Sequence, residues 1–179
     1  RPSSVYPFVS ADNFGAAKRV AENFRKNGHK RVVILASSIP SQALDHRLTG
    51  MITGLRDVEY SIVRCSCSEA SGYEAVQRIL STGQRPTGWL SVWDHTAMGA
   101  LSALHDAGVR IPDDCEVFGF DNQIYSNYTI PKLSTVNLPV EDMAFHAMRL
   151  LVQESMDPLN ADKHKMFPMD IINRGTTRY

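Results

Sequence analysis

The sequence predicts a doubly wound α/β fold, a parallel sheet covered by helices on both faces. Three observations carry this expectation. Continuously apolar runs such as Val32–Ala36 read as strands buried on both sides. Segments with apolar positions at helical spacing lie between those runs. The alternation of strand and helix continues from the first helix to about residue 120, as βαβ units require.

The elements follow in order. The opening RPSSVYPFVS has no Met and reads as mid-chain sequence. Next, ADNFGAAKRVAENFRKNGHK predicts a helix, capped by Asp12 or Asn13 and closed at Gly28. Ala16, Ala17, Val20, Ala21 and Phe24 make its apolar stripe. KRVVILAS is then a strand, and DHRLTGMITGLRD a helix with Leu48, Met51, Ile52 and Leu55 on one side. YSIVRCS is a strand, and a helix runs from Ser71 to about Leu80. GWLSVWD is a strand, followed by HTAMGALSALHDAG, a helix capped by Asp94 and ended by Gly108. EVFGFD, residues 116–121, is the next strand. VEDMAFHAMRLLVQESM is a helix, DPLNADKHK a polar connection, and MFPMDIINRGTTRY carries one last strand.

Composition limits the function classes. The 179 residues are 43% hydrophobic and 21% charged, enough apolar content for a core. Lys plus Arg equals Asp plus Glu at 19 each. Nucleic-acid binding on the chain's own surface is therefore not expected, because phosphate contact calls for a basic excess. The cysteines, Cys65, Cys67 and Cys115, suggest neither a disulfide framework nor a zinc site. No apolar stretch approaches the ~20 residues of a membrane-spanning helix. There is no nucleophile elbow, phosphate-cradling glycine loop or H-E-x-x-H, and the six histidines lack ligand-like spacing. No catalysis, cofactor or metal is expected.

Polar groups cluster where such a fold places its ligands, beyond the carboxyl ends of the strands. Ser37 and Ser38 follow one strand, Trp93 and Asp94 end another, and Asp121 ends a third. Arg47 lies near the start of a following helix. A strand-end carboxylate can bridge two hydroxyls and a guanidinium can grip an oxygen pair, which suits a polyol.

Together the segments VSADNFGAAKRVAENFRKNGHKRVVIL, RLTGMITGL, SGYEAVQRIL, RPTGWLSVWDHTAMGALSALHDAGVRIPDD, VFGFDN, PKLSTVNLPVEDMAFHAMRLL and INRGTTR run through almost the whole chain. In this order they resemble the effector-binding core of the LacI/GalR transcriptional repressors, which shares the type I periplasmic binding protein-like fold. The resemblance implies two subdomains with the N-terminal one incomplete. Residues 1–37 plus about 139–161 would be its remnant, and 38–138 plus about 162–179 the C-terminal subdomain. Such a remnant is expected to show an exposed sheet edge and an uncovered apolar face. The crossovers between subdomains are expected at VVILASS, FDNQ and LSTVNLP. The family's helix-turn-helix headpiece has no counterpart in this sequence.

The resemblance also implies an effector, a mono- or disaccharide, bound between the subdomains of a cytoplasmic homodimer that meets operator DNA only through headpieces. IYSNYTIPKL and the MGALSALHDAG helix would lie among the dimer contacts. The alternative is a periplasmic sugar-binding protein of a transporter, distinguished by a signal peptide upstream rather than a headpiece.

Arg47 matches the arginine of the family's R-x-x-G helix and Asp121 the acid of its G-F-D strand end; both would contact the ligand. Otherwise Arg47 would pair with Asp45 or Asp57, and Asp121 would cap a turn. Loss of either is expected to abolish effector response with the fold intact. Trp93 stands where relatives carry Asn, and either stacks on a sugar ring or packs at the cleft floor. Asp94 is a secondary candidate behind its capping role. Asp12, at the rim, caps its helix ahead of touching ligand. Cys67 makes a small wall where relatives place aromatic or polar residues, and Leu138 replaces a polar one.

Overall fold

The computed structural model describes residues 7–156 and 164–178. The opening six residues and most of the expected polar connection, 157–163, lie outside them. The chain enters on β1 (Phe8–Ala11), then α1 (Asn13–Lys26), β2 (Arg31–Ser37), α2 (Gln42–Leu55), β3 (Glu59–Cys65), α3 (Glu69–Ser81), β4 (Gly88–Ser91), α4 (Asp94–Asp106) and β5 (Glu116–Phe118). A short 3-10 turn (Ile124–Asn127) leads to β6 (Thr135–Asn137), α5 (Val140–Met156), β7 (His164–Phe167) and β8 (Asp170–Ile172).

Four parallel strands in the order β3-β2-β4-β5 form the central sheet. Successive side chains point to opposite faces, and the apolar runs fill both. Val32, Ile34, Ala36, Leu90, Phe118 and Phe120 pack with the stripes of α1 and α2. Val33, Leu35, Trp89 and Val117 pack with α3 and α4. A strand such as β2 shows no alternation in sequence because neither of its faces meets water.

The structure differs from the sequence reading in three places. Regular pairing in β5 stops at Phe118, because the chain there changes partner: Gly119 N donates to Ser134 O and Asp121 N to Val136 O, both at 2.9 Å. The expected last strand is two, β7 and β8, divided at Pro168, which has no N–H for a ladder. β7 pairs in parallel with β1, and β8 antiparallel with β6.

The third difference concerns the segment expected as 1–37, whose described residues the packing divides. β1 pairs with β7 and touches α5, whereas α1 and β2 are built into the four-stranded layer. The physical reason is the α1 stripe: Ala16, Ala17, Val20, Ala21 and Phe24 are fully buried against α2 and the central sheet. β7, from the segment expected in the C-terminal part, pairs in parallel with β1 in a two-stranded sheet. On the outer side of α5, Phe145, Met148 and Val152 are exposed apolar residues.

Candidate functional site

The sheet order reverses at β2: the chain goes from β2 to β3 on one side, then back to β4 on the other. The carboxyl ends of β2 and β4 therefore flank the crevice that such a reversal opens. Arg47, in the second turn of α2, reaches this crevice and is only 4% exposed. Its Nε donates to Asn13 Oδ1 at 2.8 Å and its Nη1 to Val92 O at 2.7 Å. The same Nη1 lies 2.8 Å from Asp121 Oδ1, and the guanidinium sits 4.1 Å above the Phe120 ring. The two principal candidates are thus each other's partners, and Arg47 does not pair with Asp45 or Asp57.

Asp121 lies just past β5 in a backbone conformation that side chains avoid, φ 107°, and Asn122 follows at φ 53°. Burial raises the Asp121 carboxyl above its ordinary value, and Arg47 opposes part of that rise. Asp121 caps no helix; its N–H is bonded to Val136 O and its carboxylate to Arg47.

Asp94 does not cap α4; Trp93 occupies that position with no side-chain bond. Asp94 is fully buried, and both oxygens are taken. Oδ1 accepts from Thr135 Oγ1 at 2.6 Å and Oδ2 from Gln123 N at 2.8 Å. It faces the chain's interior, where its bonds to 123 and 135 replace capping. Burial lifts its pKa to about 6, against the pull of those two donors; Asp121 adds to the rise and Arg174 opposes it.

This shift has a pH consequence. The folded-state pKa exceeds the unfolded one, so Asp94 contributes stability fully below about pH 4 and loses it as pH rises through about 6. The span corresponds to about 3 kcal/mol. Asp94→Asn should therefore gain stability relative to the native chain between about pH 4.5 and 7.5. Urea midpoints of both proteins at the two pH values check this, and a pH-independent difference would show that Asp94 does not titrate there.

The remaining candidates are spread around the crevice. Trp93 is half-buried and packs on the α1/α2 side of the sheet, with its backbone clasped by the Ser91 hydroxyl. Asp12 caps α1, accepting from Gly15 N at 2.9 Å. Cys67 is exposed; partial burial and the nearby charge of Asp121 and Glu69 push its thiol up, with Arg47 opposing.

Several polar residues here were not singled out from sequence as parts of the site. Asn13 holds Arg47 while its Nδ2 donates to Ala11 O, so it ties the end of β1 to the crevice. Asn122 Nδ2 donates to Asn137 Oδ1 at 2.9 Å, and Arg174 Nη2 donates to Asn122 Oδ1 at 2.6 Å. The amides lay inside the motif segments VFGFDN and LSTVNLP, but nothing local marks them as partners. Asp121, Asn122, Asn137, Leu138, Glu141 and Asp142 line a cavity of about 490 Å³. The three carboxylates and the amides of Asn122, Gln123 and Asn137 on that wall repel anions and offer acceptors to hydroxyls.

The profile of the periplasmic binding protein-like domain matches residues 21–177. The chain belongs to this family. It is also homologous to LacI-type repressors: the transcriptional repressor CytR of Escherichia coli K12 is 30% identical over 99% of this chain, which covers 53% of CytR. The chain spans about half the length of the curated relatives it matches. Among solved structures, the E. coli repressor ascG superposes with a TM-score of 0.85 at 27% identity, over 96% of this chain and 64% of that one. A LacI-family regulator of Enterococcus faecium with bound ribose shares the fold, with a TM-score of 0.90 at 22% identity, over 99% of this chain and 67% of that one. In this periplasmic binding protein-like chain, no described helix is long and apolar enough to cross a membrane.

Proposed function

We propose that this chain is the effector-sensing part of a LacI-type bacterial transcriptional regulator, and that its ligand is a neutral carbohydrate. The observation that carries the reading is the buried Arg47–Asp121 pair at the switch-point crevice, beside a cavity walled by amides and carboxylates. Asp121 would accept hydrogen bonds from sugar hydroxyls, Arg47 would donate to ring or hydroxyl oxygens, and Trp93 would offer its face to the ring. Cys67 and Asp12 would contribute at the wall and rim. The homologous repressors favour this over a transport protein.

The ligand would sit between two subdomains, one built on the central sheet and one on β1, β7 and α5. The exposed side of α5 would be covered by further βα units of the second subdomain. Because β2, α2 and β5 share the central layer, the two would be connected between β1 and α1, between β6 and α5 and between β7 and β8 rather than at VVILASS or FDNQ, and a sugar with higher affinity for one relative orientation would select it. In a cytoplasmic homodimer that orientation would set the spacing of two headpieces on operator DNA. A groove of about 770 Å³ along the outer end of α4, beside the almost fully exposed Ile130, supports the dimer; sedimentation velocity reads it directly.

The test is a thermal-shift panel of ribose, cellobiose, lactose and nucleosides, with Asp121→Asn beside the native protein. A sugar that raises Tm for the native chain should bind the variant about 10–100-fold more weakly, the worth of a charged hydrogen bond. Equal affinity in the variant, or no response to any carbohydrate, would overturn the reading.

A further inference from the structure

The strained turn that carries Asp121 has no glycine. Asp121 and Asn122 both adopt positive φ, a costly arrangement that persists only where surrounding bonds over-determine it. Those bonds can be followed to their source. Gln123 N, directly after the strained pair, donates to Asp94 Oδ2 at 2.8 Å. Asn122 N donates to Thr135 Oγ1 at 3.2 Å, and that hydroxyl donates onward to Asp94 Oδ1 at 2.6 Å. Asp94 N donates to Phe120 O at 2.8 Å, so the residue grips the turn from its preceding side as well. Room for the carboxylate exists because residue 119 is glycine; a Cβ there would stand 2.1 Å from Asp94 Oδ1.

Asp94 thus sits at the first position of α4 and holds two separate segments, 120–123 and 135. The second of these, in β6, leads into α5 and so into one of the places where the chain would cross between subdomains. We propose that Asp94 is a positioning residue: it fixes the 121–123 turn and the 134–138 segment to the head of α4, and so aims Asp121 at Arg47. It touches no ligand itself, being fully buried with both oxygens engaged. The inference rests on the effector reading for its functional meaning, while its structural content stands without it.

Amide hydrogen exchange of the intact protein, followed residue by residue by NMR without any ligand, tests this. In Asp94→Ala the amides of Asn122 and Gln123 should exchange about tenfold faster or more, while those of Val33 and Leu35 in β2 keep their protection. Asp94→Asn retains an acceptor for Gln123 and should restore most of the protection at that amide. Should Asp94→Ala not fold, Thr135→Val carries the test: it deletes the link to Asn122 and should speed exchange there alone. Unchanged exchange at 122 and 123, or an equal loss of protection through β2 and the turn, would overturn the positioning role. Because no ligand enters the measurement, its failure leaves the carbohydrate reading standing, and a chain that binds no sugar leaves this one standing.

Discussion

Arg47→Ala is expected to destabilise the folded chain by about 3–5 kcal/mol, the usual cost of removing one member of a buried ion pair. The arginine is 4% exposed, and its loss strands three acceptors at once: Asp121 Oδ1, Val92 O and Asn13 Oδ1. Burial already holds the Asp121 carboxyl above its ordinary value with Arg47 present. Without the guanidinium that carboxylate must take up a proton or draw in water. The expectation from sequence alone, that Arg47→Ala spares the fold, is therefore replaced. A double-mutant cycle separates the effects: Arg47→Ala with Asp121→Ala should cost less than the sum of the two by about 1–3 kcal/mol. Urea denaturation of the four proteins supplies the numbers. A loss below about 1 kcal/mol in Arg47→Ala would mean that water reaches the pair, as at a surface salt bridge.

Gly99→Ala should be comparably damaging for a different reason. A Cβ at Gly99, in α4, would stand 1.8 Å from Glu69 O at the start of α3, and a Cβ at Gly72 would stand 2.0 Å from Thr96 O. Each helix thus presses a bare glycine onto the other's backbone, which cannot yield as a flexible side chain could. Both helices would have to part, opening the layer of Ala75, Val76, Ala97 and Ala100 that they close over the sheet. Overpacking of this kind costs about 3 kcal/mol or more where the obstacle is backbone. The fall in urea midpoint measures it, and a midpoint within error of the native one would show that α3 and α4 separate freely. The displacement would also move the head of α4, where Trp93 and Asp94 lie, so any sugar response should weaken with it.

Much of this was legible in one dimension because it depends on neighbours in sequence. A β2 buried on both faces writes an unbroken apolar run, and the stripe of α1 repeats at helical spacing whatever it packs against. The Asp12 cap is a bond over three residues, to Gly15 N. Asp121 and Arg47 could be placed at a cleft because strand ends and helix starts are local, and the fold class fixes where they point.

What the sequence by itself determined is therefore the alternation of elements, the two-faced burial of the sheet, and the polar residues that gather at its carboxyl end. Tertiary structure alone decided which of those residues meet. The bond from Thr135 to Asp94 spans 41 residues and that from Arg174 to Asn122 spans 52. No local pattern encodes such a pair, since a buried carboxylate needs donors from somewhere and the chain can supply them from any segment that folds back. The division of β1 and β2 between two sheets was settled in the same way. A strand's hydrophobicity says that it will be covered, and only the competition among available edges says by what.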